Sequence, residues 1–547
     1  MLLIQGQRFI MFLKGYSIFT NTIKNAEVIG VKKELPTSKI DTQLKTKFTI
    51  MKTTKFTSLL FLMSMMALLV SSCTQKVKVY PAPEGIELSS AFSMSVEGQE
   101  VPVYKTKVPP KSPIPRLTHS RSEFGFASLA SFDMNAETNI TVTYPGEINS
   151  VKVLPTSFGI VPKVEGKTIT FSIDKPKHVT IEVNGDWQES LHILANPFEE
   201  NIPDATDPNV VYFGPGLHEV NHLKVEDGKT VYIAGGAYVR CVSDANEKQV
   251  LGTNDQQYLP TFILQGKDIS FRGRGIVDQA FVPKKVRRYT LLAQDCENLT
   301  IEGVTFLDPS RWTIPIKRSK DVHVDNVKVI GWRGNADCVD ISSSQDVLVE
   351  NCFLRSLDDL IVVKSRTGQG ESKNIHARNC VLWNELAHAV SIGAEIRENI
   401  SNILFEDMDV IHDVGRETAL RIYHCDSATV SDVTFQNIRV EEGRRLISCW
   451  IGSTRWTKTP DRGNIRNVLF KDITATSAPI DTTLTGFQDG IDWKPYIIKD
   501  HASMELIGYD ENHFIDGVVF DNVVLDGKKV TRDQVTINEF VTNVEFK

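Results

Sequence analysis

Asp346-Val347-Leu348-Val349-Glu350-Asn351-Cys352-Phe353-Leu354 and Asn374-Ile375-His376-Ala377-Arg378-Asn379-Cys380-Val381-Leu382 are two copies of one phrase. Each starts on Asp or Asn, alternates apolar with polar residues, meets a second Asn and closes on an apolar pair. Outward from these copies, the phrase begins again at Asp268, Asn298, Asp321, Asn402, Asp432, Asn467 and Gly517. Successive starts are 30, 23, 25, 28, 28 and 30 residues apart, then 35 and 50 where loops are inserted. Alternation of this kind reads as short half-buried strands, and Asn and Asp supply the corners between them. A period in the twenties built from such units signals a solenoid. The L-x-x-L-x-L phrase of leucine-rich repeats is absent, and propeller blades of ~40 residues are longer than these units. The expected fold is all-β, a parallel β-helix over residues 201–547. In it each coil buries its inward residues against its neighbours.

The rhythm upstream is different. Residues 140–146 (ITVTYPG), 150–155 (SVKVLP), 167–173 (KTITFSI) and 177–185 (KHVTIEVNG) are short alternating runs split by turn residues. This predicts a small antiparallel β-sandwich over 116–200. Residues 74–115 are polar and Pro-containing and read as a tether. Before them, Met51-Lys52-Thr53-Thr54-Lys55 leads into an apolar run at 59–70 and then Ser71-Ser72-Cys73. A basic start, a short apolar stretch and small residues describe a signal peptide over 51–73. The run is shorter than the ~20 residues of a membrane span. Its end resembles a bacterial lipobox. Cys73 is the expected lipidation point and mature N-terminus, and the expected product is an exported lipoprotein, periplasmic or on the outer membrane, with its lipid in a bacterial membrane. Residues 1–50 then read as an extension upstream of a true start at Met51.

Composition narrows the rest. The chain has 547 residues, 41% hydrophobic, enough for a sizeable core, and a net charge of −7. Nothing in that charge suggests nucleic acid, which calls for a strongly basic face. The eight cysteines form no CxxC pair and read as buried thiols in a stacked core.

Residues one coil apart stack about one strand spacing apart, ~4.8 Å. A site on a β-helix therefore shows as polar residues recurring at the coil period. Four segments do this: Asn335-Ala336-Asp337, Asp358-Asp359, Ala387-His388-Ala389 and Arg421-Ile422-Tyr423. Arg421 and Tyr423, two apart, point to the same side of their strand. Carboxylates crowded on one wall raise one another's pKa, so one keeps a proton near neutral pH. A protonated carboxylic acid beside ionised ones is the equipment for splitting a glycosidic bond.

The four segments, in this order, resemble glycoside hydrolase family 28, the polygalacturonase family. That family carries Asn-Thr-Asp, Asp-Asp, Gly-His-Gly and Arg-Ile-Lys on successive coils of a right-handed parallel β-helix. The resemblance covers roughly 205–530. It implies Asp358 as general acid, Asp337 and Asp359 as the pair that holds and activates water, and His388 as support for the acid. It also implies Arg421 as a substrate-binding cation, with Tyr423 and Asn335 beside it, inversion at the anomeric carbon, and no metal or cofactor. The expected substrate is a pectin-type, galacturonate-containing polysaccharide. Three departures stand out: Ala336 for Thr, Ala387 and Ala389 for Gly, and Tyr423 where the family has Lys. A Tyr offers a hydroxyl and a ring face instead of a charge. The preceding sandwich echoes the dextranase family, which makes a neutral α-glucan such as dextran the competing substrate. The same fold also serves polysaccharide lyases that use calcium and glycan-binding adhesins, and both compete with the hydrolase reading. Trp450, Trp456, Phe487, Trp493 and Tyr496 are candidate sugar-stacking residues, and Arg444, Arg445 and Arg455 candidate uronate-binding cations.

Overall fold

The computed structural model describes residues 75–110, 124–244, 258–413, 415, 417–478 and 503–547. It adds the backbone of four two-residue strands, Phe12–Leu13, Tyr16–Ser17, Phe487–Gln488 and Ile491–Asp492. The chain divides into units 1–74 and 75–547. The signal-like segment and Cys73 lie outside the described residues, as do the side chains of Phe487, Trp493 and Tyr496.

Within the second unit, two sheets face each other at its N-terminal end. One runs Lys163–Glu165, Thr168–Ile173, Thr138–Thr143, Ser93–Val96 and Gln99–Val101. The other runs Val77–Val79, Gly125–Met134, Asp186–Pro197, His178–Val183 and Val151–Leu154, with Val103–Val108 paired to Gly125–Met134. Met94, Val142 and Phe171 from the first sheet meet Phe132, Ile181 and Ile193 from the second in a common core. Residues 74–115, expected as a tether, thus supply four strands of this sandwich. Their alternation is real but interrupted: Ser93–Val96 buries only Met94 and Val96, and the surrounding prolines mask so short a pattern.

From Val210 onward the described strands, apart from the pair Phe487–Gln488 and Ile491–Asp492, form one 29-stranded sheet that winds through parallel pairings between successive coils. The fold is the expected parallel β-helix. The first residue of every repeat adopts a left-handed backbone, from Asp268 (φ 56°) and Asn298 (φ 57°) through Asn402 (φ 55°) and Asn467 (φ 55°) to Gly517 (φ 74°). Asn and Asp tolerate that region better than other side chains. Their side chains also link coils: Asn298 Nδ2 donates to Asp268 Oδ1 at 2.6 Å and Asn402 Nδ2 to Asn374 Oδ1 at 2.7 Å. Inside, Phe405, Phe435, Phe470, Phe520 and Phe546 stack one per coil, with ring centroids 4.9–5.3 Å apart. The seven described cysteines are all buried and unpaired.

The sandwich lies against one flank of the coils. Leu129, Leu154 and Leu194 pack with Ile276, Leu307, Ile330, Phe353 and Trp383. Buried polar contacts cross the same joint. Arg355 donates to Ser190 Oγ (3.2 Å), Lys328 to Asn196 Oδ1 (2.8 Å) and Arg274 to Asp133 Oδ1 (3.2 Å). Arg355 belongs to Phe353–Ser356, the strand that leads directly into Asp358.

Candidate active site

The site stands on the parallel strands Ile314–Lys317, Val339–Ser342, Ile361–Ser365, Val390–Ile396 and Leu420–His424. Ile314 pairs with Val339, Val339 with Ile361, Ile361 with Val390 and Val390 with Leu420. Two residues ahead of these partners stand Trp312, Asp337, Asp359, His388 and Thr418. Main-chain bonds tie that column together: Thr313 N–H to Asp337 O (2.7 Å), Cys338 N–H to Asp359 O (2.8 Å) and Leu360 N–H to His388 O (3.0 Å). One place earlier lie Arg311, Ala336, Asp358 and Ala387. Asp337 and Asp359 are therefore column mates, and Asp358 sits one residue ahead of them.

All of these column residues except Ala336 and Thr418 line an open cleft of about 710 Å³, together with Asn335, Arg287, Lys364, Glu395, Glu417, Tyr423, Arg455 and Trp456. One carboxylate oxygen from each of Asp337, Asp358 and Asp359 lies within 4.8 Å of the others. Asp358 is held by main-chain donors, Asn335 N–H to Oδ2 at 2.9 Å and Asp359 N–H to Oδ1 at 3.2 Å. The left-handed backbone of Asn335 (φ 59°) accompanies the first of these contacts, and Arg287 Nη2 donates to the Asn335 side-chain oxygen at 2.5 Å. The Lys364 ammonium sits among the acids, 2.5 Å from Asp340 Oδ1, 3.2 Å from Asp337 Oδ2 and 3.8 Å from Asp359 Oδ2. The Trp312 ring covers it at 4.1 Å. Among the described residues no ion pair reaches Asp358.

Burial pushes Asp337 and Asp359 well above the usual carboxylate range. Neighbouring acids add to the rise, and Lys364 opposes it. Asp340, also buried, is raised to about 6 despite its contact with the ammonium. Asp337, Asp340 and Asp359 share one ammonium, so the three titrate as a coupled set. His388 moves the other way. Burial, then the nearby Arg421 guanidinium, lowers it to about 3, so the imidazole is neutral. Its Nδ1–H donates to Thr418 O at 2.7 Å, which leaves Nε2 as an acceptor.

Of the expected site residues, Asp337, Asp358, Asp359, His388, Asn335 and Tyr423 all reach this cleft. Arg421 does not line it. It is buried, 2.5 Å from Glu417 Oε2, with its guanidinium 4.1 Å from the Tyr423 ring centroid. The two side chains share a face, as their spacing requires, but Glu417 already balances the charge. Of the loop candidates, Arg455 and Trp456 line the cleft, Trp450 packs on Tyr423 at 5.3 Å, and Arg445 turns to Ser503 and Glu505. Sequence reasoning missed Lys364, Asp340, Arg287, Arg311, Trp312 and Glu395. Arg311 and Trp312 occupy the same coil positions as Asp358 and Asp359 and were legible one period upstream. The three aspartates are spaced so that a cation could bridge them, but Lys364 already brings a positive charge into the cluster. We read the set as carboxylates around an ammonium. A second cavity of about 480 Å³ between sandwich and coils, lined by Lys177, His178, Asn326 and Asp409 among others, shares no residue with the cleft.

Paired carboxylic acids in an open cleft of a β-helix suit a carbohydrate-cleaving protein. The family model for glycosyl hydrolases family 28 matches residues 218–493, half of the chain, and the chain belongs to that family. Exopolygalacturonase B of Aspergillus niger is 25% identical over 319 residues, 49% of this chain and 71% of that protein. Probable exopolygalacturonase B of Aspergillus fumigatus is 26% identical over 227 residues, 38% of this chain and 48% of its own. The chain thus spans about half the length of that relative. In fold it is similar to Dex49A from Penicillium minioluteum, with a TM-score of 0.54 at 13% identity, covering 86% of this chain and 96% of the other. That likeness is one of fold alone.

Proposed function

We propose that this protein hydrolyses glycosidic bonds in a pectin-type, galacturonate-containing polysaccharide. Asp358 protonates the leaving oxygen, while Asp337 and Asp359 hold and activate the attacking water. The observation that carries this reading is the unequal surroundings of three converging carboxylates. Asp337 and Asp359 lie against an ammonium that favours their ionised forms, and Asp358 does not. Neutral His388, with Nε2 free to accept, suits a partner for a protonated acid. Arg287, Arg311 and Arg455 around the cleft favour an anionic sugar over dextran, and take over from Arg421 and from the lysine that Tyr423 replaces. The relatives' name adds chain-end attack to this proposal.

Inversion is the finer part. Inverting pairs generally lie ~6.5–9.5 Å apart and retaining pairs ~5–5.5 Å. The nearest oxygens of the three acids approach within 4.8 Å, a closest-atom distance that does not choose between the two. We infer inversion because two carboxylates are gathered where a nucleophile needs only one.

Reducing-sugar release across polygalacturonate, rhamnogalacturonan and dextran tests the reading, with Asp358→Asn as the second arm. A uronate polymer is the expected substrate, and Asp358→Asn is expected to lose at least ~10²-fold, the share of general acid catalysis. Ultraviolet-absorbing products that vanish with a chelator would instead show a lyase. Binding without any release would show an adhesin. Export and lipid anchoring through Cys73 are part of the same proposal. Loss of detergent-phase partitioning in Cys73→Ser is the expected result, and unchanged partitioning removes the anchor.

A further inference from the structure

We infer that Lys364 is a positioning residue for the reaction: anchored by Asp340 beneath the Trp312 ring, its ammonium is the counter-ion of Asp337 and Asp359 and favours their ionised forms against the burial that opposes them. The inference rests on the hydrolase reading above and assigns a role to two residues outside the four expected segments.

The geometry argues for it. A lysine serving only to fill the wall would be satisfied by Asp340, whose Oδ1 is 2.5 Å away. Lys364 also reaches Asp337 Oδ2 at 3.2 Å and Asp359 Oδ2 at 3.8 Å, the two carboxylates assigned to the water. Its side chain is 4% exposed, so water screens these contacts little and each matters more than on a surface. Asp337 Oδ1 and Asp340 Oδ2 are buried and accept no hydrogen bond among the described residues. The ammonium is thus the principal support for two acids that burial disfavours.

The other charges facing this group do not replace it. Glu395, on the following coil, adds negative charge. Its partner Arg366, 3.4 Å away, sits on the far contact of the Trp312 ring at 5.8 Å. Lys317, two coils earlier, acts on Asp340 and lies 4.6 Å from the Tyr289 ring and 5.3 Å from Trp312. Asp358 faces the cluster from the same coil without touching the ammonium. Gly393 lets the next strand bulge past this point: at φ 113° it has no room for a Cβ, which would collide with the Tyr423 carbonyl oxygen.

Two substitutions move the charge balance in opposite senses. Lys364→Met removes the cation, so the base pair needs a higher pH to ionise. The acid limb of the kcat/KM profile should rise by at least ~1 pH unit, a ~tenfold loss per unit below the limb, with KM changed far less than kcat. Asp340→Asn removes a like charge and gives Lys364 wholly to the pair, so the limb should fall. Lys364→Arg should restore it. A loss that is uniform with pH, or a limb that stays put in both variants, overturns the proposal. Should Lys364→Met fail to give a cooperative melt, Asp340→Asn still decides by the direction of its shift. Carboxyl ¹³C NMR, assigned with Asp337→Asn and Asp359→Asn, reads the same ionisations without substrate. If those resonances shift on Lys364→Met while the wild type cleaves no uronate polymer, the hydrolase reading fails and the counter-ion role stands. If they do not shift, the counter-ion role fails whatever the substrate.

Discussion

Asp337, Asp358 and Asp359 are one residue type at three addresses, and their surroundings make them unlike. Asp337 is 2% exposed, with one oxygen on Lys364 and the other without a donor. Asp359 is reached by the same ammonium at longer range. Asp358 accepts two main-chain N–H bonds. These donors set it apart from the two acids that the ammonium reaches. The balance is set by the cluster as a whole, so removing any member shifts the protons on the rest. Tyr423 shows how one substitution is absorbed. Arg421 lies over its ring and Glu417 neutralises Arg421, which turns the expected cationic subsite into an aromatic face bordered by Arg455 and Trp456.

At the scale of elements, the joint between sandwich and coils holds a charge pair with a defined pH signature. His412 Nε2, on Ile400–Asp413, lies 2.5 Å from Glu182 Oε1, on His178–Val183, and its Nδ1 lies 3.5 Å from Glu442 Oε2. Burial alone would lower the imidazole. The two carboxylates outweigh it and hold His412 up to about 9. The folded value exceeds the ~6.5 of a free histidine, so the stabilisation is full below about pH 6.5 and is lost as pH rises through 9. A shift of this size is worth roughly 3 kcal/mol. Melting curves from pH 6 to 10 should show the wild type losing its advantage over His412→Gln between about pH 6.5 and 9. A constant difference across that range would mean that the imidazole is not held charged. Taking the difference between the two proteins isolates His412 from other titrating groups.

For the molecule as a whole, the legible parts were those that repeat. Nine copies of a short phrase reveal a coil even though no copy is strong alone. Asp268, Asn298, Asp321, Asp346, Asn374, Asn402, Asp432 and Asn467 open the phrase because each stands at a left-handed corner. The candidate site aspartates were legible for the same reason, as polar residues at the coil period. What does not repeat was hidden. Lys364 looks like any strand-end lysine until Asp340 and Asp337 from the preceding coil close on it. Arg421 looks like a free cation until Glu417, four residues earlier, folds back on it. The strands at 77–108 alternate too briefly among prolines to stand out. The sandwich's part in holding Phe353–Ser356 through Arg355 depends on Ser190 and His192, more than 160 residues away in sequence. Together these contacts place a rigid support directly behind the turn that carries Asp358.

The central claim is that two carboxylates hold a water while a third supplies the proton. The most direct test is proton NMR of the first product released from a defined uronate oligosaccharide, recorded before mutarotation. The account predicts the opposite anomer to that of the cleaved linkage. A product that keeps the original configuration would require one aspartate to attack the sugar itself, and would contradict the water-holding roles of Asp337 and Asp359.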